Sequence, residues 1–152
     1  MKSFAFKLRA LLRLKETKRE MALSQFASSV KEVQKLVIQL AEVQERYDSV
    51  LQLLNDMQKR SFRGDQIEAL NSSLEIEREN IATIDLQLKQ AREIQESRRG
   101  IFLNKDSEYN AIINLEEKQK KAHFFKENKK EQKELEDIIG ARFLFQRINR
   151  QS

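Results

Sequence analysis

The chain of 152 residues contains no proline, and glycine occurs only at Gly64, Gly100 and Gly140. Proline and glycine are the residues that most disfavour the interior of a helix. Charged residues make up 35% of the chain and apolar residues 39%, which is too apolar for disorder and too polar for a thick core. This composition predicts long helices that bury a narrow apolar seam.

The N-terminal half carries a heptad pattern, in which apolar residues recur alternately at three and four positions. A period of about 3.5 residues is typical of a coiled coil. All but one of the predicted seam residues are apolar. They are Leu23, Phe26, Val30, Val33, Val37, Leu40, Gln44, Tyr47, Leu51 and Leu54. This pattern predicts a first helical arm that packs on a second helix.

The second half repeats the pattern and therefore supplies that second arm. The predicted seam consists of Ile67, Leu70, Leu74, Glu77, Ile81, Ile84, Leu88, Ala91, Gln95 and Arg98. Beyond Ala91 the seam becomes polar, although Phe102, Tyr109 and Ile112 keep the same phase. We expect weaker pairing there, and Gly100 costs about 1 kcal/mol relative to alanine in a helix.

A short turn between the arms predicts an all-α fold, a long two-stranded antiparallel coiled-coil hairpin. Gly64 can take a positive φ after a helix end, and Asp65 is a good N-cap. The chain is expected to form one domain, whose parts run over about 4–60 (arm one), 61–65 (turn) and 66–145 (arm two with a C-terminal overhang). Pairing about Gly64 places residue i opposite roughly 127 − i, so Phe4 faces His123. The apolar residues after His123 then have no partner within the chain.

A separate set of apolar residues, Leu36, Val43 and Val50, recurs every seven positions beside the predicted seam. Two interpretations are open. These side chains widen the buried seam, as flanking positions often do. Alternatively, they form an exposed apolar stripe that binds a partner.

Catalytic chemistry is not expected from this chain. It has no cysteine, no glycine-rich phosphate loop and a single histidine, His123, with only solvated carboxylates nearby in sequence. A two-helix hairpin also lacks a cleft that could desolvate a general acid. We therefore expect no enzyme activity, no metal site and no cofactor. No transmembrane segment or secretory signal is predicted either.

Positive charge is concentrated towards the chain ends, within a net charge of +5. Residues 1–19 contain Glu16 as their only acid, and residues 118–133 are rich in lysine. The first segment is compatible with a basic amphipathic helix on a membrane, and the second with nucleic-acid binding. However, glutamates interrupt the lysine-rich segment, which favours a solvated helix face and no nucleic-acid partner.

Both ends of the chain resemble FliJ-type flagellar export proteins. The opening FAFKLRALLRLK fits the family pattern at Phe4, Phe6, Lys7, Leu8, Leu11, Leu12, Leu14 and Lys15. The C-terminal KENKKEQKELED is similar to the end of the family at Glu127, Asn128, Gln132, Lys133, Glu136 and Asp137. The acidic pair is Glu-Asp here, where the family has Asp-Glu. Stalk proteins of virulence-type injectisomes share the architecture and are an alternative, as is a general coiled-coil tether.

The resemblance implies a non-enzymatic stalk in type III protein export, located in the cytoplasm at the inner face of the cell membrane. Its implied partners are the hexameric export ATPase, the membrane export gate protein and export chaperones. The implied ATPase-binding residues are Phe4, Phe6, Lys7, Leu8, Leu11, Leu12, Gln132, Lys133, Ile138 and Phe143. The implied gate-binding residues are Leu36, Leu40, Val43, Tyr47, Leu74, Ile81 and Ile84.

Overall fold

The computed structural model describes residues 2–60 and 64–151, which form two α-helices and no β-strand. Helix α1 spans Arg9–Gln58 and helix α2 spans Gly64–Gln151. The two helices pack against each other, which confirms the predicted all-α helical hairpin. Of the predicted turn, residues 61–63 lie outside the described residues.

Helix α1 begins at Arg9, later than the predicted start near residue 4, and residues 2–6 have no regular secondary structure. Within this segment Phe4 is half-buried and Phe6 is buried. The amide of Arg9 donates a hydrogen bond of 3.3 Å to the Phe6 carbonyl at the helix start.

Helix α2 begins at Gly64, so the predicted positive φ at this glycine is wrong. Asp65 lies in the first turn, and its Oδ1 accepts a hydrogen bond of 3.0 Å from the Gln66 amide. Its carboxylate also favours this helix end, because the N-terminus of a helix carries partial positive charge. Helix α2 continues to Gln151, past the predicted end of the arm near residue 145.

The chain divides into two compact units. The central unit comprises Arg19–Asn104. The terminal unit combines the two chain ends, of which residues 2–18 and 105–151 are described. Each unit contains a segment of α1 and a segment of α2.

The second-arm seam is confirmed at all of its predicted positions in the central unit. Leu74, Leu88 and Ala91 are buried, and the other predicted residues from Ile67 to Arg98 are half-buried. Leu36 of α1 packs with Leu88 and Ala91 as the core of this unit. Near the end of the unit, the rings of Phe26 and Phe102 stack at 6.4 Å with an interplanar angle of 4°.

The predicted first-arm seam is correct at five positions and is displaced by one residue at the other five. Phe26, Val33, Leu40, Tyr47 and Leu54 are buried or half-buried, as predicted. The alternate positions lie one residue earlier than predicted, at Ala22, Ser29, Leu36, Val43 and Val50. Of the residues predicted instead, Leu23, Val37 and Gln44 are exposed, whereas Val30 and Leu51 are half-buried at the edge of the seam.

The error has a simple cause at the first two of these positions. Ala22 is small and Ser29 is polar, so hydrophobicity favours their neighbours Leu23 and Val30. Ser29 is nevertheless buried, because its hydroxyl donates a hydrogen bond of 2.6 Å to the Phe26 carbonyl. A buried hydroxyl with a hydrogen-bond acceptor avoids most of the cost of its desolvation.

Candidate binding surfaces

In the terminal unit, Phe4 packs on α2 at His123. The ring of Phe4 lies 5.6 Å from the ring of His123, which confirms the predicted pairing of these residues. His123 Nε2 donates a hydrogen bond of 2.9 Å to the Lys2 carbonyl, and the ring also contacts Phe124. His123 thus connects the N-terminal segment to α2.

Ion pairs connect α1 and α2 further along the terminal unit. Arg9 lies 2.6 Å from Glu116, and Lys15 lies 3.1 Å from Glu108. Lys105 adds a second cation 3.8 Å from the Glu108 carboxylate. The hydrogen bond from Lys15 lowers the pKa of Glu108, and the nearby lysines act in the same direction against partial desolvation. Charged groups therefore form part of the contact between α1 and α2 in the terminal unit.

The predicted ATPase-binding residues separate into two groups by exposure. Phe6 and Leu12 are buried, and Phe4 and Leu11 are half-buried. In this structure these four side chains pack the N-terminal segment and α1 onto α2. The exposed group can meet a partner directly. It consists of Lys7, Leu8, Gln132, Lys133, Ile138 and Phe143.

The C-terminal part of α2 is exposed at every residue from 131 to 151. Many of its side chains are large and apolar. They are Leu135, Ile138, Ile139, Phe143, Leu144, Phe145 and Ile148. Contiguous exposed apolar surface commonly marks an interaction site. Phe124, by contrast, is half-buried where it contacts His123.

The predicted gate-binding residues lie in the central unit, mostly inside the seam. Leu36, Val43 and Leu74 are buried, whereas Leu40, Tyr47, Ile81 and Ile84 are half-buried. The interpretation of Leu36, Val43 and Val50 as an exposed stripe is therefore wrong. These residues form part of the seam itself, in line with the other interpretation.

The structure reveals an exposed apolar strip at positions that the heptad pattern predicts to lie in the core. Leu23 and Val37 are 43% and 42% exposed, one heptad on either side of the half-buried Val30. The predicted seam includes this strip because the buried residues Ala22, Ser29 and Leu36 lie one position before the residues of the strip. Correct assignment of Ala22 and Ser29 to the seam would have identified it.

A polar cluster surrounds the half-buried Tyr47 in the central unit. The Arg78 guanidinium donates hydrogen bonds of 3.3 Å to the Tyr47 hydroxyl and lies 5.8 Å from the ring centroid. The hydrogen bond to Tyr47 raises the pKa of Arg78. Arg46 contacts Glu77 at 3.4 Å, but the second carboxylate oxygen of Glu77 is buried without a hydrogen-bond partner.

Two further properties concern the part of the chain that the structure describes. No group of three histidine, cysteine or acidic side chains in it is arranged to hold a metal ion. Neither of its helices has a stretch long and apolar enough to cross a bilayer.

Comparison with known proteins identifies a family for this chain. The family described as Flagellar FliJ protein matches residues 4–149, which include most of both compact units. Neither a curated protein nor a solved structure matches the chain.

Proposed function

Because this chain belongs to the FliJ family, we propose that it is a non-enzymatic stalk that links the hexameric flagellar export ATPase to the membrane export gate. The family is one of stalk-type proteins related to flagellar export, not an enzyme family. The family match over residues 4–149 carries the proposal. In this proposal, the terminal unit binds the export ATPase and the central unit binds the export gate. The protein also escorts export chaperones and works at the inner face of the cell membrane.

The surface chemistry of the terminal unit supports ATPase binding. Lys7 and Leu8 are exposed at the start of α1, and residues 131–151 are exposed along α2. A segment with exposed cations and large apolar side chains can fill a protein pore that offers both kinds of contact. The buried residues Phe6 and Leu12 then act indirectly, by keeping the N-terminal segment packed against α2.

Stimulation of the purified export ATPase tests this assignment. A variant truncated after Lys130 keeps the ion pairs and the contacts of His123, so it should remain helical but lose stimulation. Phe143→Ser should give a similar loss within the full chain. Its matched control is Ile76→Ser in the central unit, since Phe143 and Ile76 are 64% and 57% exposed. Full stimulation by the truncated variant would exclude ATPase binding through this segment.

The half-buried seam residues support gate binding in the central unit. Leu40, Tyr47, Ile81 and Ile84 retain some accessible surface, and Arg78 adds a charge beside the Tyr47 ring. Aromatic residues and arginine are enriched among the side chains that dominate binding energy at interfaces. Leu36, Val43 and Leu74 would contribute by holding the two helices in place.

Two substitutions separate these roles. Tyr47→Ala should weaken binding of the gate protein while circular dichroism reports nearly unchanged helicity. Val43→Ala, at a buried position of the same seam, should lower stability more than it lowers binding to folded protein. Equal loss of binding in the two variants, at equal stability, would contradict a specific role for Tyr47.

A further inference from the structure

The last part of α2 differs in charge from the part before it. Residues 126–137 mix lysine with glutamate and aspartate, whereas residues 138–151 contain no acidic residue. The later segment carries three cations, Arg142, Arg147 and Arg150. All of its residues are helical and exposed. It is therefore a purely cationic helix that projects apolar side chains into solvent.

Helix geometry sorts these side chains onto two faces. At about 100° per residue, positions separated by three, four or seven residues share a face. One face carries only apolar side chains, namely Ile138, Ala141, Leu144, Phe145 and Ile148. Arg142 and Arg147 border this face on its two sides, and Arg150 lies opposite. Its four large side chains are between 53% and 66% exposed.

We propose that this apolar face, defined by Ile138, Ala141, Leu144, Phe145 and Ile148, lies in the surface of an anionic lipid bilayer. An interfacial helix buries its apolar face among the acyl chains while flanking cations meet the headgroups. Arginines on both borders, with no carboxylate in the segment, match a surface of uniformly negative charge. A protein groove of mixed charge would be matched better by the preceding segment. This binding goes beyond the proposed contact with the export ATPase and does not depend on it, although the two sites share Ile138.

Vesicle flotation with the full chain tests the proposal. The protein should float with vesicles of equimolar phosphatidylglycerol and phosphatidylcholine, but not with pure phosphatidylcholine. Raising sodium chloride from about 50 mM to about 500 mM should weaken the binding, because salt screens exposed charges. Arg142→Gln combined with Arg147→Gln should lower affinity roughly 25-fold, at about fivefold for each bordering cation. No flotation with the anionic vesicles, or equal flotation with both compositions, would overturn the proposal.

Phe143 and Phe145 provide a matched pair for the apolar face. They are 64% and 66% exposed, but about 200° apart around the helix, so only Phe145 lies on the proposed lipid face. Phe145→Ser should weaken vesicle binding by about tenfold or more, as expected for loss of a buried aromatic side chain. Phe143→Ser should leave it nearly unchanged. Circular dichroism of both variants checks that the helix is retained, and equal loss of binding in the two would contradict the assigned face.

The same pair distinguishes the lipid site from the ATPase site. Phe143→Ser should lose ATPase stimulation and keep vesicle binding, whereas Phe145→Ser should do the reverse. If Phe145→Ser floats like the unmodified chain but no longer stimulates the ATPase, the apolar face binds protein and the lipid proposal is wrong. If neither variant alters stimulation while Phe145→Ser loses vesicle binding, only the assignment of the ATPase site fails.

Discussion

Lys15 of α1 lies 3.1 Å from Glu108 of α2, and both side chains are partly shielded from solvent. Lys15 occupies a seam position, seven residues before the buried Ala22. Ion pairs between partly exposed groups contribute little and are screened by salt, whereas apolar burial is not. Pairing of the helices in the terminal unit is therefore more sensitive to pH and salt than pairing in the central unit.

The lowered pKa of Glu108 predicts acid sensitivity of the terminal unit. A carboxylate with a lowered pKa stabilises the folded state above its unfolded pKa, and this contribution is lost as pH falls through the folded pKa. Hydrogen exchange of residues 9–18 should therefore accelerate in acid more than exchange of residues 33–43, once intrinsic rates are corrected. Glu108→Gln should raise exchange of residues 9–18 at neutral pH and reduce its further rise in acid. An unchanged acid response in this variant would contradict the role of Glu108.

The seam of α2 could be predicted from the sequence because only one heptad phase places its strongly apolar residues in the seam. Leu74, Ile81 and Leu88 define that phase, and their neighbours in sequence are mostly polar. On α1, apolar residues stand side by side at Leu36–Val37 and Val50–Leu51. Hydrophobicity cannot choose between such neighbours, and only the contacts with α2 decide which of the two is buried.

Adjacent Leu36 and Val37 test the corrected seam directly. Leu36 is 6% exposed and packs with Leu88 and Ala91, whereas Val37 is 42% exposed. Leu36→Ala should lower the free energy of unfolding by about 2–3 kcal/mol, because it removes buried surface and leaves a cavity. Val37→Ala should cost less than about 1 kcal/mol. Urea denaturation followed by circular dichroism measures both changes in the free energy of unfolding. A larger effect at Val37 would support the predicted seam, in which Val37 is buried and Leu36 is not.

The exposed C-terminal segment illustrates a different limit of prediction. The register between the arms was expected to place Phe4 opposite His123, and the two rings are in contact. The same register leaves the apolar residues that follow without a partner, and Phe145 and Ile148 are indeed exposed. Sequence reasoning can therefore find the segment, but its partner depends on chemistry outside the chain.

Glu77 is the polar residue whose replacement should stabilise the central unit. Its Oε2 is buried without a hydrogen-bond partner, and Arg46 contacts only the other oxygen at 3.4 Å. A buried acceptor without a partner costs about 1–3 kcal/mol, whereas an exposed ion pair contributes at most about 1 kcal/mol. Glu77→Leu should therefore raise the free energy of unfolding by about 1 kcal/mol. Glu79→Leu, at an exposed position nearby, is the control and should change stability by less than about 0.5 kcal/mol.

Gly100 and Gly140 predict how far cooperative unfolding extends along α2. Both are inside the helix without positive φ, and a Cβ at either position meets no atom within 4 Å. Gly100→Ala should therefore raise the free energy of unfolding by about 0.5–1 kcal/mol, because alanine loses less backbone entropy in a helix. Gly140→Ala should strengthen only the local helix, since residues 131–151 are exposed to solvent. Urea denaturation should shift in the first variant alone, and hydrogen exchange of residues 135–147 should slow in the second. A shift of equal size in both would mean that the C-terminal segment unfolds together with the packed helices.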